Sequence, residues 1–158
     1  MNDFIRGRQA ENNFAKDYLQ NINWATQDQD MFEHWDVEGI LAYLSDEPLK
    51  FDVKALKKVN REDDNFNDDV TWIEGTNVRG NDGWIKGKAD YIVFEREDKW
   101  TVINRKELFN WTINKIRGNG NKIGKGFYQV YQRPNRKDKL TLIKFSDIDN
   151  ITVLNLPK

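Results

Sequence analysis

Asp36 and Asp52 stand 16 positions apart in segments that read as extended, and Lys54 follows the second acid by two. The stretches run Phe32-Glu33-His34-Trp35-Asp36-Val37 and Lys50-Phe51-Asp52-Val53-Lys54-Ala55-Leu56. Side chains alternate faces along a strand, so Asp52 and Lys54 are expected to project together, with Phe51 and Val53 on the other face. Two carboxylates are oxygen ligands of the kind that hold Mg²⁺, and a neighbouring ammonium can position a water or neutralise charge developing on phosphate. The chemistry this suits is divalent-metal phosphodiester hydrolysis. With 32% of the chain charged, an Asp-x-Lys triplet alone has low specificity, and its surroundings must decide.

Those surroundings begin with a helix pattern over residues 8–22, where Ala10, Phe14, Tyr18 and Ile22 recur every four residues and Glu11, Lys16 and Asp17 lie off the stripe. Residues 32–44 and 49–59 read as a hairpin turned by Ser45-Asp46-Glu47-Pro48. An acidic loop (61–69) leads to a third strand at 70–78. Residues 84–86 and 89–95 form a fourth, and 100–104 a short strand paired with it through Arg96-Glu97-Asp98-Lys99. A second helix is expected over 106–116, with Leu108, Phe109, Ile113 and Ile116 on its buried side. A glycine-rich basic loop (117–126) then precedes strands at 127–132 and 140–145 and a helical turn at 146–148. No repeat or long linker divides residues 1–158, which read as one α/β (α+β) domain with a mixed central sheet flanked by helices.

Composition removes several function classes. There is no cysteine, so disulfides, thiolate zinc sites and a cysteine nucleophile are excluded. A single histidine, His34, leaves neither a multi-histidine metal site nor a Ser-His-Asp array, and it reads as a hydrogen-bonded side chain. The glycines near 118–126 lack P-loop spacing, so nucleotide triphosphate binding has little support. No signal-like or membrane-length apolar run occurs, and a reducing cytoplasmic setting without membrane association is expected. Hydrophobic content is 38%, but six Trp, nine Phe and five Tyr supply burial. The net charge of −1 conceals polarity: 23 acids to 15 bases through residue 114, then 3 to 10 from residue 115. Lys122, Lys125, Arg133, Arg136 and Lys137 lie in this basic part, interleaved with Phe127, Tyr128 and Tyr131. Cations and flat rings in this mixture suit phosphates and exposed bases.

With Glu11 on a helix, then Asp36, then Asp52-x-Lys54 on a hairpin, residues 8–95 resemble the PD-(D/E)XK nuclease superfamily. That core is a helix, a three-strand meander, and a further helix and strand. It has an Asp on one strand, Asp/Glu-x-Lys on the next and often a Glu on the first helix. The chain is also similar to phage and bacterial chains carrying HWD … DVK. The resemblance implies a DNA endonuclease in which Asp36 and Asp52 hold Mg²⁺ or Mn²⁺ and the Val53 carbonyl completes the shell. Lys54 would orient the attacking water, and Glu11 or Glu74 would support the metal or its water. It also implies a homodimer that cuts both strands.

Two alternatives stay open on the residues. A shifted register makes Asp52 the first acid and Glu74-Gly75-Thr76 the second motif, which lacks the lysine. A rival of another class is a catalytically inactive nucleic-acid-binding or protein-inhibiting accessory module on the same scaffold, such as phages encode.

Overall fold

Helix α1 (Asp3–Tyr18) starts where the Asn2 side chain accepts the Ile5 N–H at 2.9 Å, a side-chain cap on an otherwise orphan donor. Its buried face is Ala10, Phe14 and Ala15, with Tyr18 partly buried beside them; Ala10, Phe14 and Tyr18 are on the stripe that the periodicity marks, and Ala15 is not. The helix ends sooner than the pattern implies. Leu19 is extended, Asn21 is left-handed, and Ile22 falls on strand β1 (Gln20–Trp24), where it is exposed. The four-residue stripe continues into β1 by coincidence, and pairing with the next strand decides the conformation. The computed structural model describes residues 2–58 and 62–158, so the ends of the strand expected to 59 and of the loop expected from 61 lie outside the described residues.

β2 (Val37–Ile40) and β3 (Leu49–Lys54) form the expected antiparallel hairpin, with β1 on the far side of β2. Both strands are shorter than the expected 32–44 and 49–59: Phe32 and Glu33 belong to an irregular helical turn (Gln29–Glu33), 41–44 leave the ladder in a turn, and 55–58 are not strand. Strand β4 (Val70–Thr76) is a strand, as expected, but it leaves this sheet and pairs antiparallel with β7 (Lys139–Lys144). The next strand of the sheet is β5 (Tyr91–Glu95), parallel to β3; the expected start at 84–86 is a 3₁₀ turn instead. β6 (Lys99–Asn104) pairs with β5 as a hairpin, and β8 (Thr152–Pro157), which the sequence did not announce, closes the order β1-β2-β3-β5-β6-β8. Helix α2 (Arg105–Gly118) is capped by Asn104 and lies against β6 and the 84–86 turn. The strand expected at 127–132 is reduced to single bridges, because Tyr128 takes a left-handed conformation inside it.

The mixed sheet thus separates two cores. On one face Phe51, Val53, Val93 and Trp100 pack on Ala10, Phe14 and Ala15 of α1. On the other, Ile92, Phe94 and Ile103 pack with Ile73 of the β4–β7 ribbon, Trp84 and Leu108 of α2. This is the mixed sheet flanked by helices that the sequence implied, with a two-stranded ribbon added to one layer. Among the described residues no helix is long and apolar enough to cross a membrane.

Candidate active site

The β2–β3 ladder ends at Val37 opposite Phe51, and β3 runs on beyond it. Asp36 occupies that gap. Its N–H donates to the Phe51 carbonyl at 2.8 Å, and its Oδ2 accepts the Val53 N–H at 2.7 Å. In an extended strand a residue's N–H and C=O share an edge, so the Val53 carbonyl faces the same edge as the Asp36 carboxyl. Asp36 is therefore oriented by the strand it faces.

Parallel pairing sets the neighbouring acid. Asp52 lies opposite Ile92 and Lys54 opposite Phe94, so both project into the layer of the β4–β7 ribbon, while Phe51 and Val53 enter the α1 core. The alternation expected from the sequence is the one found. Lys54 Nζ lies 3.0 Å from Asp52 Oδ1 and 4.7 Å from the centre of the Trp84 ring. Asp52 is only 3% exposed, and its Oδ2 is buried with no hydrogen-bond partner among the described residues. An unsatisfied buried acceptor costs on the order of 1–3 kcal/mol, more when charged.

The charge around Asp52 is out of balance. Burial, and then the Asp52 carboxylate, push the Asp36 carboxyl well above its usual range, while Lys54 and the Val53 N–H pull it back only in part. Glu11 reaches the same field from α1. Burial pushes it up to about 7; Arg8, whose Nη1 lies 3.7 Å from it, opposes the rise, and Asp30 and Asp52 add to it. Burial works against the Lys54 ammonium, but Asp52, Asp36 and Glu74 outweigh it and hold Lys54 above its ordinary value. Burial lowers the nearby Lys57 ammonium to about 8, against the pull of Asp52 and Glu74. Three cations, Lys54, Lys57 and Arg8, thus face four carboxylates, which leaves a proton, or another cation, to make up the difference.

Glu74 reaches this field by a different route from the one expected. It is not on a strand adjacent to β3; it lies on β4, in the second sheet, and acts across the layer. The shifted register, which needs β3 and β4 to be neighbours, has no support in this topology. The chain returns against Glu74 at Gly83, where a Cβ would stand 2.3 Å from the Glu74 carbonyl oxygen, so only glycine fits. Trp84, directly after it, is the ring under Lys54; nothing local in the sequence marks it. Arg8 could have been found from its three-residue spacing to Glu11.

His34 stays apart from the acids. It is left-handed (φ 58°), and its Nε2 donates to the Asp82 carbonyl at 2.9 Å, as a hydrogen-bonded side chain. In the basic part Lys122, Lys125, Arg136 and Lys137 are exposed. Arg133 departs from expectation: its Nε lies 2.6 Å from Oδ2 of the fully buried Asp138, so its guanidinium is engaged inside the fold. An apolar cavity of about 140 Å³ between the β4–β7 ribbon and α2, lined by Ile73, Phe109 and Ile116, contains none of the acidic groups. Among the described residues no three acidic or imidazole groups converge as a ready-made metal cage. No family model, curated protein or solved structure matches the chain.

Proposed function

We propose that the chain is a Mg²⁺- or Mn²⁺-dependent nuclease of PD-(D/E)XK type acting on DNA. The observation that carries this reading is the buried Asp52 Oδ2, unpartnered among the described residues, beside a second carboxyl whose pKa is raised and whose orientation is fixed by Val53. The donor set fits such an ion. Mg²⁺ keeps several waters and is usually held by one or two carboxylates, so Asp36, Asp52 and the Val53 carbonyl suffice without a third acid. A bound cation would supply Lewis-acid polarisation and charge neutralisation at the phosphate.

The chain's own groups do the rest. Lys54, anchored by Asp52 and the Trp84 ring, holds a water or meets charge developing on the phosphate. Glu11, with its pKa near 7, can accept or return a proton at neutral pH, where a general base works best. Glu74 adds to the field that keeps Lys54 protonated. Exposed Lys122, Lys125, Arg136 and Lys137 track the backbone. Action in a reducing cytoplasm, as a homodimer that cuts both strands, belongs to the same reading.

The accessory-module reading is favoured by two observations: Lys54 already closes one Asp52 oxygen, and among the described residues three metal-binding groups do not converge. Metal-titrated cleavage of plasmid and oligonucleotide DNA, with Mn²⁺ calorimetry, separates the two. The nuclease reading expects cleavage only with Mg²⁺ or Mn²⁺, loss of cleavage in Asp52→Asn, and weaker Mn²⁺ binding in Asp36→Asn. Intact DNA binding without Mn²⁺ uptake or cleavage would select the accessory module.

A further inference from the structure

A cleft of about 550 Å³ forms where the 29–34 turn faces the 77–82 loop. Both walls lead directly into the site: the turn ends two residues before Asp36, and the loop begins three residues after Glu74. Met31, Phe32, His34, Asn77 and Arg79 line it. Phe32 is 63% exposed, an unusual position for a large flat ring. The Arg79 guanidinium rests on the Met31 sulfur at 3.4 Å, and no carboxylate pairs with it among the ion pairs of the described residues.

The cleft is held in shape from within. The left-handed backbone at His34 sends Trp35 into the core, and His34 Nε2 ties this wall to the Asp82 carbonyl on the other. Asn77 Oδ1 accepts the N–H groups of both Arg79 and Asn81 at 3.0 Å, which braces the loop. Gly80 is left-handed as well, and the Lys137 stem passes it, with Cδ 3.1 Å from where a Cβ would stand. The basic turn therefore borders the cleft and brings a second cation to its rim. Strained residues held by their surroundings in this way are a recurring feature of ligand clamps.

We infer that this cleft receives an unpaired nucleotide of the nucleic-acid substrate, its base stacked on Phe32 and its phosphate met by Arg79 and Lys137. The volume is in the range of small-ligand sites. An exposed ring with flanking cations is the combination that binds single strands without reading sequence. A fully paired duplex has no base free to enter. The substrate class is accordingly DNA with an unpaired segment: a flap, a gap, a bulge or a single strand. The inference rests on the nuclease reading for the identity of the polymer.

The test uses the full-length protein and a 20-nucleotide single strand carrying 2-aminopurine, read by fluorescence and anisotropy in Ca²⁺, against a duplex of the same sequence. We expect quenching with the single strand and not with the duplex. Phe32→Ala and Arg79→Ala should each weaken single-strand binding about ten-fold, within the range that one stacked base contributes. Both side chains are exposed, and circular dichroism melting confirms that the variants fold. Quenching and affinity unchanged in Phe32→Ala would overturn the inference. Cleavage of paired and unpaired DNA in Mg²⁺ separates the two ideas: equal cutting of both, unaffected by Phe32→Ala, sinks the cleft but leaves the nuclease. Quenching lost in Phe32→Ala without any cleavage supports the cleft and sinks the nuclease.

Discussion

Asp52 and Asp138 are alike in isolation: each is nearly inaccessible, each has one oxygen on a basic side chain, and each leaves the other oxygen buried without a partner among the described residues. Their neighbourhoods differ. Asp138 lies in the basic part of the chain, and Arg133 is the one side chain ion-paired to it among the described residues. Asp52 shares the Lys54 ammonium with Asp36 and Glu74, and its charge raises both Asp36 and Glu11. A buried ion pair whose charges cancel can be a purely structural device. One set among surplus carboxylates holds capacity for another cation. Burial and pairing do not separate structure from site; the local charge balance does.

The largest effect expected from this difference is on turnover. Lys54→Ala should reduce single-turnover cleavage at saturating Mg²⁺ by about 10²–10⁴-fold, the usual size of a positioned proton-transfer or charge-stabilising group, with DNA affinity little changed. Arg133→Met should leave that rate within about two-fold, because among the described residues the arginine side chain bonds Asp138 and none of the acids of the site. Equal losses of rate in the two variants would erase the distinction between the aspartates.

Stability should sort them the opposite way. Breaking a buried pair by removing one partner costs roughly 3–5 kcal/mol, and at Asp138 no ligand is at hand to recover it. Urea unfolding of Arg133→Met should show such a loss, equal with and without Mg²⁺. Lys54→Met should also lose stability, but Mg²⁺ should restore part of it by binding the native state. Full restoration of Arg133→Met by Mg²⁺ would move the metal to the wrong aspartate.

A smaller, pH-dependent effect comes from Glu11. Its carboxyl is pushed up to about 7 from an ordinary 4.5, so between those values the native protein binds more protons than the unfolded chain. The Glu11 contribution is then fully present below about pH 4.5 and lost as pH rises through 7, a change of at most about 3 kcal/mol. Metal-free protein should be less stable at pH 8 than at pH 5, and Asp36, raised for the same reasons, adds in the same direction. Glu11→Gln should flatten this slope and stabilise the protein at pH 8. A denaturation midpoint independent of pH in the parent would remove the surplus-charge account.

How much of this could be read from the chain depends on whether the cause was local. The shared face of Asp52 and Lys54 follows from two-residue alternation, and α2 and the β5–β6 hairpin follow from their own periodicity and turn. β4 was recognisable as a strand, but alternation says which way side chains point and not which strand is the partner. Its pairing with β7, some 70 residues later, is a tertiary fact. That is why the sequence suggests a strand adjacent to β3 for Glu74, which lies instead in the second sheet. Ile22 extended a helical stripe that pairing with β2 overrode. Arg133 looked like its basic neighbours because composition records charge and not the buried acid five residues on. Trp84 and Arg79 became visible as part of a site only once the ribbon and the loops were folded back.

The smallest effect belongs to the exposed bases, and it tests the basic side of the comparison. Each phosphate neutralised on duplex DNA adds about −0.9 to the slope of log affinity against log salt. Lys122→Ala and Lys137→Ala should each flatten that slope by up to about 0.9, roughly a three-fold difference in affinity change between 50 and 200 mM salt. Arg133→Met should leave the slope alone, since its guanidinium is already turned inward onto Asp138. Anisotropy titrations on one duplex across that salt range resolve such differences. A slope that falls for Arg133→Met and not for the lysines would mean that Asp138 releases its arginine to the DNA, and the basic part would then hold a switchable ion pair instead of a fixed one.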